Sequence, residues 1–283
     1  AAVRPEPGGI PQTPGAMLKA AAAPVPEEVD QFLICLFKYQ EGQTEAGRKF
    51  ANALMKAVRS HEGSVHTWSD NPKTWDVIDG QDHLTEPNHL SPAVFDFNCL
   101  LLCGFPSLEQ VHVWWHSDAM FELLKGREPL EKMGVFVVQG LQTCTDLADR
   151  NKFLFGDSLI LLELMKAEVF QPIQHYVDGY KKGMEAHKLK KSLLFAEGVS
   201  GVLMNEFPLD WACSTSWRSK HDAMKWYDTD RYQRELLPLR KGNCRCLTLL
   251  VQIFEERLED LERVKTLLPV SDKLRSLAAH KHP

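Results

Sequence analysis

The chain has no apolar run of the roughly 18–20 residues that a membrane-crossing helix needs. Its longest candidates are interrupted by Asn98, Glu163 or Lys166. It has no basic excess either: the net charge is −5 and the pI about 6.1, so the electrostatic footprint of a nucleic-acid binder is missing. Its cysteines number seven, an odd count, without the dense regular spacing of a disulfide framework, and no N-x-S/T acceptor occurs. A reducing, intracellular compartment is therefore expected. Phosphate loop, dinucleotide fingerprint, nucleophile elbow and zinc-type CxxC pair are all lacking. No cofactor and no metal are expected.

What the sequence does hold is 283 residues, 44% of them hydrophobic and 25% charged, enough for two domains with a core each. It also holds an echo. The stretch from Phe105 through Trp114 and Trp115 to Asp118 returns from Trp217 through Trp226 and Tyr227 to Asp230, at a constant offset of 112 (217 − 105). Each copy reads as a capped helix. Ser107 and Ser219 are N-cap hydroxyls, with Gln110 or Asp222 three residues on. Val111, Trp114 and Trp115 in one copy, and Ala223, Trp226 and Tyr227 in the other, make one buried stripe. Ser117-Asp118 and Thr229-Asp230 read as a second cap.

In chain order, residues 1–26 are a Pro/Gly/Ala arm with too little apolar surface to offset its own ordering. The first copy, 27–141, predicts a strand at Phe32–Phe37, a helix at Thr44–His61, a strand at Ser64–Ser69, a polar insertion at 70–92, a strand at Cys99–Cys103, the capped helix, and a strand at Val135–Val138. Residues 142–156 read as a linker. The second copy, 157–254, repeats the order: strand Leu159–Met165, helix Pro172–His187 with Tyr176 and Tyr180 inward, a strand or hairpin over Leu193–Met204, strand Ala212–Ser216, the capped helix, and strand Leu247–Val251. Residues 255–283 read as a helix and a basic tail. This is βαββαβ twice, the ferredoxin-like unit.

Phe105-Pro106-Ser107 with its tryptophan pair, and Trp226-Tyr227-Asp228-Thr229 followed by Tyr232-Gln233 and Leu237-Pro238-Leu239-Arg240, resemble a family of domains of unknown function in the dimeric α/β-barrel superfamily. The first copy has the better head and the second the better tail; Trp217-Arg218 replaces Phe-Pro in the second. The resemblance implies an α+β fold in which two ferredoxin-like repeats pack sheet to sheet, here within one chain. A sheet covered by helices on one face must bury the other. Cofactor-free monooxygenases, isomerases and haem-dependent enzymes belong to that superfamily, as do members with no known reaction.

The candidate chemistry is sparse. Glu163 is a lone carboxylate in an apolar strand. Buried, it would be a proton-transfer group; at a sheet edge, alternation would turn it to solvent. Trp114, Trp226, Tyr227 and Tyr232 line a ligand pocket or fill the core. Arg127 and Arg240 meet an anionic ligand or pair with surface acids. His112 and His116, at i and i+4, are acid/base groups or metal ligands at a cavity mouth, or polar-face residues of a surface helix. Asp76, Asp79, Asp82, His83 and His89 have metal-ligand types without a ligand spacing, so they read as solvated loop or partner contact.

Two functions from different classes follow. One is a non-catalytic binding or assembly subunit that holds a larger protein complex through residues 1–26 and the C-terminal helix. The other is a cofactor-independent isomerase or monooxygenase acting on an apolar small molecule in the barrel cavity. The start at Ala rather than Met fits an organellar protein, plastid or mitochondrial, after removal of a targeting segment.

Overall fold

Strand β1 (Val29–Tyr39) is apolar at successive positions because it lies inside a sheet covered on both sides. Phe32, Ile34 and Leu36 face one core, and Leu33, Cys35 and Phe37 face another. The computed structural model describes residues 29–72, 75–80, 94–143, 159–187 and 193–252. After β1 come α1 (Thr44–Ser60), β2 (Ser64–Ser69), β3 (Asp76–Asp79), β4 (Cys99–Phe105), α2 (Leu108–Trp115), α3 (Asp118–Lys125) and β5 (Leu130–Thr143). The second half has β6 (Leu159–Ala167), α4 (Phe170–Ala186), β7 (Leu193–Gly198), β8 (Gly201–Asn205), β9 (Trp211–Trp217), α5 (Lys220–Tyr227), a π-helical turn (Tyr232–Leu236), α6 (Leu237–Arg240) and β10 (Cys244–Gln252).

The two antiparallel sheets run β2-β4-β1-β5-β8 and β3-β10-β6-β9-β7. Each contains one edge strand from the other half: β3 joins the second sheet through β10, and β8 joins the first through β5. Side chains from both sheets fill the space between them, among them Ile34, Leu100, Phe136, Leu162, Phe195 and Leu249. Two further cores lie under the helices, one beneath α1, α2 and α3 and one beneath α4 and α5. The result is an α+β fold of two ferredoxin-like halves packed sheet to sheet. Edge strands are open to wrong pairing, and the exchange gives β5 and β10 a neighbour on their outer side.

The caps form where local sequence placed them. Ser107 Oγ accepts from the Gln110 amide at 3.2 Å, Ser219 Oγ from Asp222 at 3.2 Å, Ser117 Oγ from Met120 at 3.3 Å and Thr229 Oγ1 from Tyr232 at 3.2 Å. Three expectations need correction. The insertion at 70–92 is not all loop, since Asp76–Asp79 is β3. Strand β5 runs to Thr143, which pairs with Val29, so the stretch read as linker from 142 begins inside a strand. The Leu193–Met204 segment is neither one strand nor a hairpin: its two strands, β7 and β8, pair with β9 and β5 in different sheets and not with each other. The arm 1–26, residues 144–156 of the linker and the helix and tail at 255–283 lie outside the described residues. No described helix is long and apolar enough to cross a membrane.

Strand β3 carries a bulge. Asp79 pairs with Thr248, while Val77 pairs with Leu249, leaving Ile78 as the extra residue. Asp79 therefore shares the helix-covered face with Thr248. Gly80 follows at φ +81°, and a Cβ there would lie 2.0 Å from the Cys246 carbonyl oxygen. Gly42, at φ +75°, has nothing within 4 Å. Gly42→Ala should therefore cost only backbone strain, about 1–2 kcal/mol. Gly80→Ala adds a backbone clash and should cost clearly more, as read by urea denaturation of the two variants side by side. Equal losses would mean that β3 is not held closely against β10.

Candidate functional site

Glu163 sits in β6, flanked by Cys213 of β9 and Thr248 of β10. Alternation along β6 sends Leu162 and Leu164 into the space between the sheets and Leu161, Glu163 and Met165 under the helices. Because β6 is central, Glu163 is buried rather than turned to solvent, with 0% exposure. It does not line the barrel interior, where an apolar substrate was expected; that space is filled with side chains.

Three groups meet its carboxylate. The Tyr176 hydroxyl, on the inner face of α4, donates to Oε2 at 2.5 Å. The Tyr232 hydroxyl, from the π-helical turn, donates to Oε1 at 3.0 Å. Arg240 Nη1 stands 3.7 Å from Oε2. The two phenol oxygens are 3.1 Å apart. Arg240 is itself 1% exposed. Its Nη1 donates to Thr248 Oγ1 at 2.8 Å and Cys246 Sγ at 3.0 Å. Its Nη2 donates to Asp79 Oδ2 at 2.7 Å and the Tyr227 hydroxyl at 3.2 Å. The surface ion pair expected for Arg240 is instead a buried network, and one of its acids comes from the first half of the chain.

Four residues selected from sequence thus converge: Glu163, Tyr227, Tyr232 and Arg240. Trp226 packs edge-on against Tyr232 with ring centroids 5.9 Å apart and helps to wall the cluster. Trp114 and Arg127 lie in the other half. Trp114 is core, against Phe105 and Trp115. Arg127 pairs with Glu206 at 3.3 Å, both side chains well exposed. His112 and His116 stack on each other along α2, 6.2 Å apart. Sequence reasoning missed Tyr176, Asp79 and Thr248 as members of the cluster. Tyr176 had a signal, an inward position on the helix read at Pro172–His187. Asp79 had none, because its place depends on pairing with a strand about 170 positions later.

Burial, and then the negative charge of Glu163, push the Tyr176 and Tyr232 hydroxyls well above the ordinary phenol range. Burial pushes Tyr227 up to about 12. Burial opposes the charge of Arg240, but Cys246, Tyr232 and Glu163 around it outweigh that and leave its pKa raised. The phenols are therefore neutral donors and the guanidinium a fixed cation at physiological pH.

The two halves use the same hydrogen-bond register with different chemistry. Cys35, between Leu101 and Val135, occupies the place of Glu163 between Cys213 and Thr248. Phe50 stands for Tyr176 at the seventh residue of an equally long helix. Met120 stands for Tyr232 behind its Ser117 cap, and Met204, after the same bulge, for Asp79. Only the arginine is kept, as Arg127, and there it contacts Met204 Sδ at 3.6 Å and Glu206.

No protein-family model matches the chain, and no curated protein matches it by sequence. Solved structures resemble it in fold. An anthrone oxidase-like protein is 10% identical with a TM-score of 0.49, over 81% of this chain and 93% of that one. A provisional monooxygenase from Lactobacillus acidophilus is 9% identical with a TM-score of 0.46, over 81% and 100%. A mutant chlorite dismutase from Candidatus Nitrospira defluvii is 12% identical with a TM-score of 0.43, over 83% and 94%. At these identities the likeness is one of fold, and it assigns no residue and no reaction.

The raised phenols make a pH prediction. Above the ordinary phenol value of 10.0 an unfolded chain has released protons that folded Tyr227, at about 12, still holds. Tyr176 and Tyr232 act in the same sense. The folded state then binds more protons, so stability is full below pH 10 and falls as pH rises beyond it. Urea midpoints taken below and above pH 10 should show that fall, and Tyr232→Phe should flatten it. A slope unchanged by Tyr232→Phe would remove this phenol from the alkaline transition.

Proposed function

We propose that the second half carries an acid–base site in which Glu163 takes a proton from a bound small molecule, the first step shared by a cofactor-independent isomerase and a cofactor-independent monooxygenase. The observation that supports it most is the contrast between the halves. The fold builds the same corner from Cys35, Phe50, Met120, Val135 and Met204 in one half and from Glu163, Tyr176, Tyr232, Thr248 and Asp79 in the other. Holding the fold together does not require the polar set. An exposed pair, Arg127–Glu206, ties β8 to the first half without any buried acid.

The roles follow from atom types. Glu163 is the acceptor that faces only donors, and its two oxygens are oriented by separate phenols. Proton abstraction next to a carbonyl leaves an oxyanion, which needs donors already in place. Arg240 supplies the positive charge, and the Tyr232 hydroxyl, which donates to Glu163 at rest, can turn to the oxyanion once Glu163 holds the proton. The proton moves to a Glu163 oxygen and returns to the substrate at another atom in an isomerisation. Tyr176, which donates to Oε2, holds the carboxylate in place. The expected assembly role falls on residues 1–26 and 255–283, outside the described residues, and has no part in this reading.

Incubation in D2O with a panel of enolisable carbonyl compounds tests it, with deuterium incorporation followed by NMR. The wild type should label at least one compound, and Glu163→Gln should slow that labelling by on the order of 10²–10⁴, with circular dichroism unchanged. Labelling at the same rate in a folded Glu163→Gln variant would exclude Glu163 as the base.

A further inference from the structure

Glu163 is enclosed, so the outward side of the cluster decides what reaches it. Only one member of the network faces water appreciably. The Asp79 side chain is 38% exposed, against 2% for Arg240 and 0% for Glu163. Arg240 is divided accordingly. Its inner amine is occupied by Thr248, Cys246 and Glu163, and its outer amine by Asp79 and the Tyr227 hydroxyl.

Asp79 is also carried by the shortest strand of its sheet. Strand β3 has four residues, all partly or fully exposed, and three register pairs to β10. The bulge at Ile78 and the left-handed Gly80 turn Asp79 onto Arg240. Local irregularities of this kind concentrate where a side chain must be aimed. The corresponding place in the other half is Met204, and the acid on Arg127 comes from Glu206 instead. An acid at the Asp79 place is thus not what the strand exchange needs.

We propose that Asp79 is a tethered stand-in for the carboxylate of the protein's ligand, and that the site takes a small monocarboxylate whose carboxyl group replaces that of Asp79 on Arg240 Nη2 and the Tyr227 hydroxyl. This rests on the acid–base reading above and adds a substrate class and a route of entry to it. A free carboxylate offers the charge and acceptor geometry that Asp79 offers, so exchange leaves the guanidinium neutralised throughout. Glu163 and the ligand's carboxylate then share one guanidinium, one on each amine. Displacing β3 opens the cluster from the side of Ile78 and Tyr227, so binding and access are one event. With Asp79 competing, apparent affinity is lowered by the fraction of time the strand is displaced.

Formate, acetate, propionate and benzoate are titrated into the full chain at constant ionic strength, with chloride as control, and read by NMR shifts and by thermal midpoint. The wild type should respond saturably to at least one carboxylate and not to chloride. Asp79→Asn, which keeps the size and removes the competing charge, should tighten that binding by about tenfold or more. Arg240→Gln should abolish it; should that variant not fold, Tyr227→Phe should weaken it several-fold. No saturable response in the wild type overturns the proposal, and so does binding indifferent to Asp79→Asn or to Tyr227→Phe. Glu163→Gln should still bind. Carboxylate binding without any deuterium labelling would sink the proton-transfer reading alone, whereas labelling of neutral ketones without carboxylate binding would sink this inference alone.

Discussion

A guanidinium with 1% of its surface exposed must have its charge met within a few ångströms, because an unpaired buried charge costs several kcal/mol even after relaxation. Arg240 meets that demand with two acids from different parts of the chain. Glu163 lies on the central strand of its own sheet, and Asp79 arrives on a strand from the other half. Both acids in turn depend on it, and Glu163 has two phenols besides. The bulge in β3, the left-handed Gly80, the π-helical turn that brings in Tyr232 and the inward face of α4 all serve to place these groups.

The first half shows what the backbone requires when no such charge is present. At the corresponding positions sit a thiol, a phenyl ring, two thioethers and a valine. Arg127 is not drawn inward, and it remains at the surface with Glu206. Buried ion networks are often no more stabilising than apolar replacements of similar volume, whereas removing one partner alone costs about 3–5 kcal/mol. Stability therefore gives no reason for the second half to differ. The difference asks for a chemical reason, and a carboxylate oriented by phenols beside a guanidinium provides one.

Local chemistry made much of the architecture legible. The caps at Ser107, Ser117, Ser219 and Thr229 depend on residues three positions apart, and β2 spans Ser64–Ser69 as expected. The pairing of two sheets was implied by the family resemblance, and strands apolar on both faces agreed with it. Strand β3 escaped because Asp-Val-Ile-Asp is short and half polar, and it is a strand only by virtue of β10. The burial of Glu163, itself marked as a candidate, was left open for a related reason: period-2 alternation tells which face a residue takes, but not whether that face is covered. Its cover is Tyr176 and Tyr232, on helical segments before and after the strand that pairs beside it. Tyr227, Tyr232 and Arg240 were marked by the motif at the chain's second capped helix, and the fold supplied the acids that give them a purpose.

The exchange of edge strands joins architecture to chemistry. Strands β3 and β8 each finish the other half's sheet, so neither half closes its helix-covered face from its own chain segment. In the first half the incoming strand contributes Met204, which extends an apolar core. In the second it contributes Asp79, the network's most exposed acid, while Lys220 holds Asp76 of the same strand at 2.9 Å. The strand that completes the charged cluster is thus also its least buried and most briefly paired part. Glu163 is sealed under α4 and the π-helical turn, and the strand that stands between the cluster and solvent carries Asp79, the acid whose departure would leave Arg240 in need of another anion.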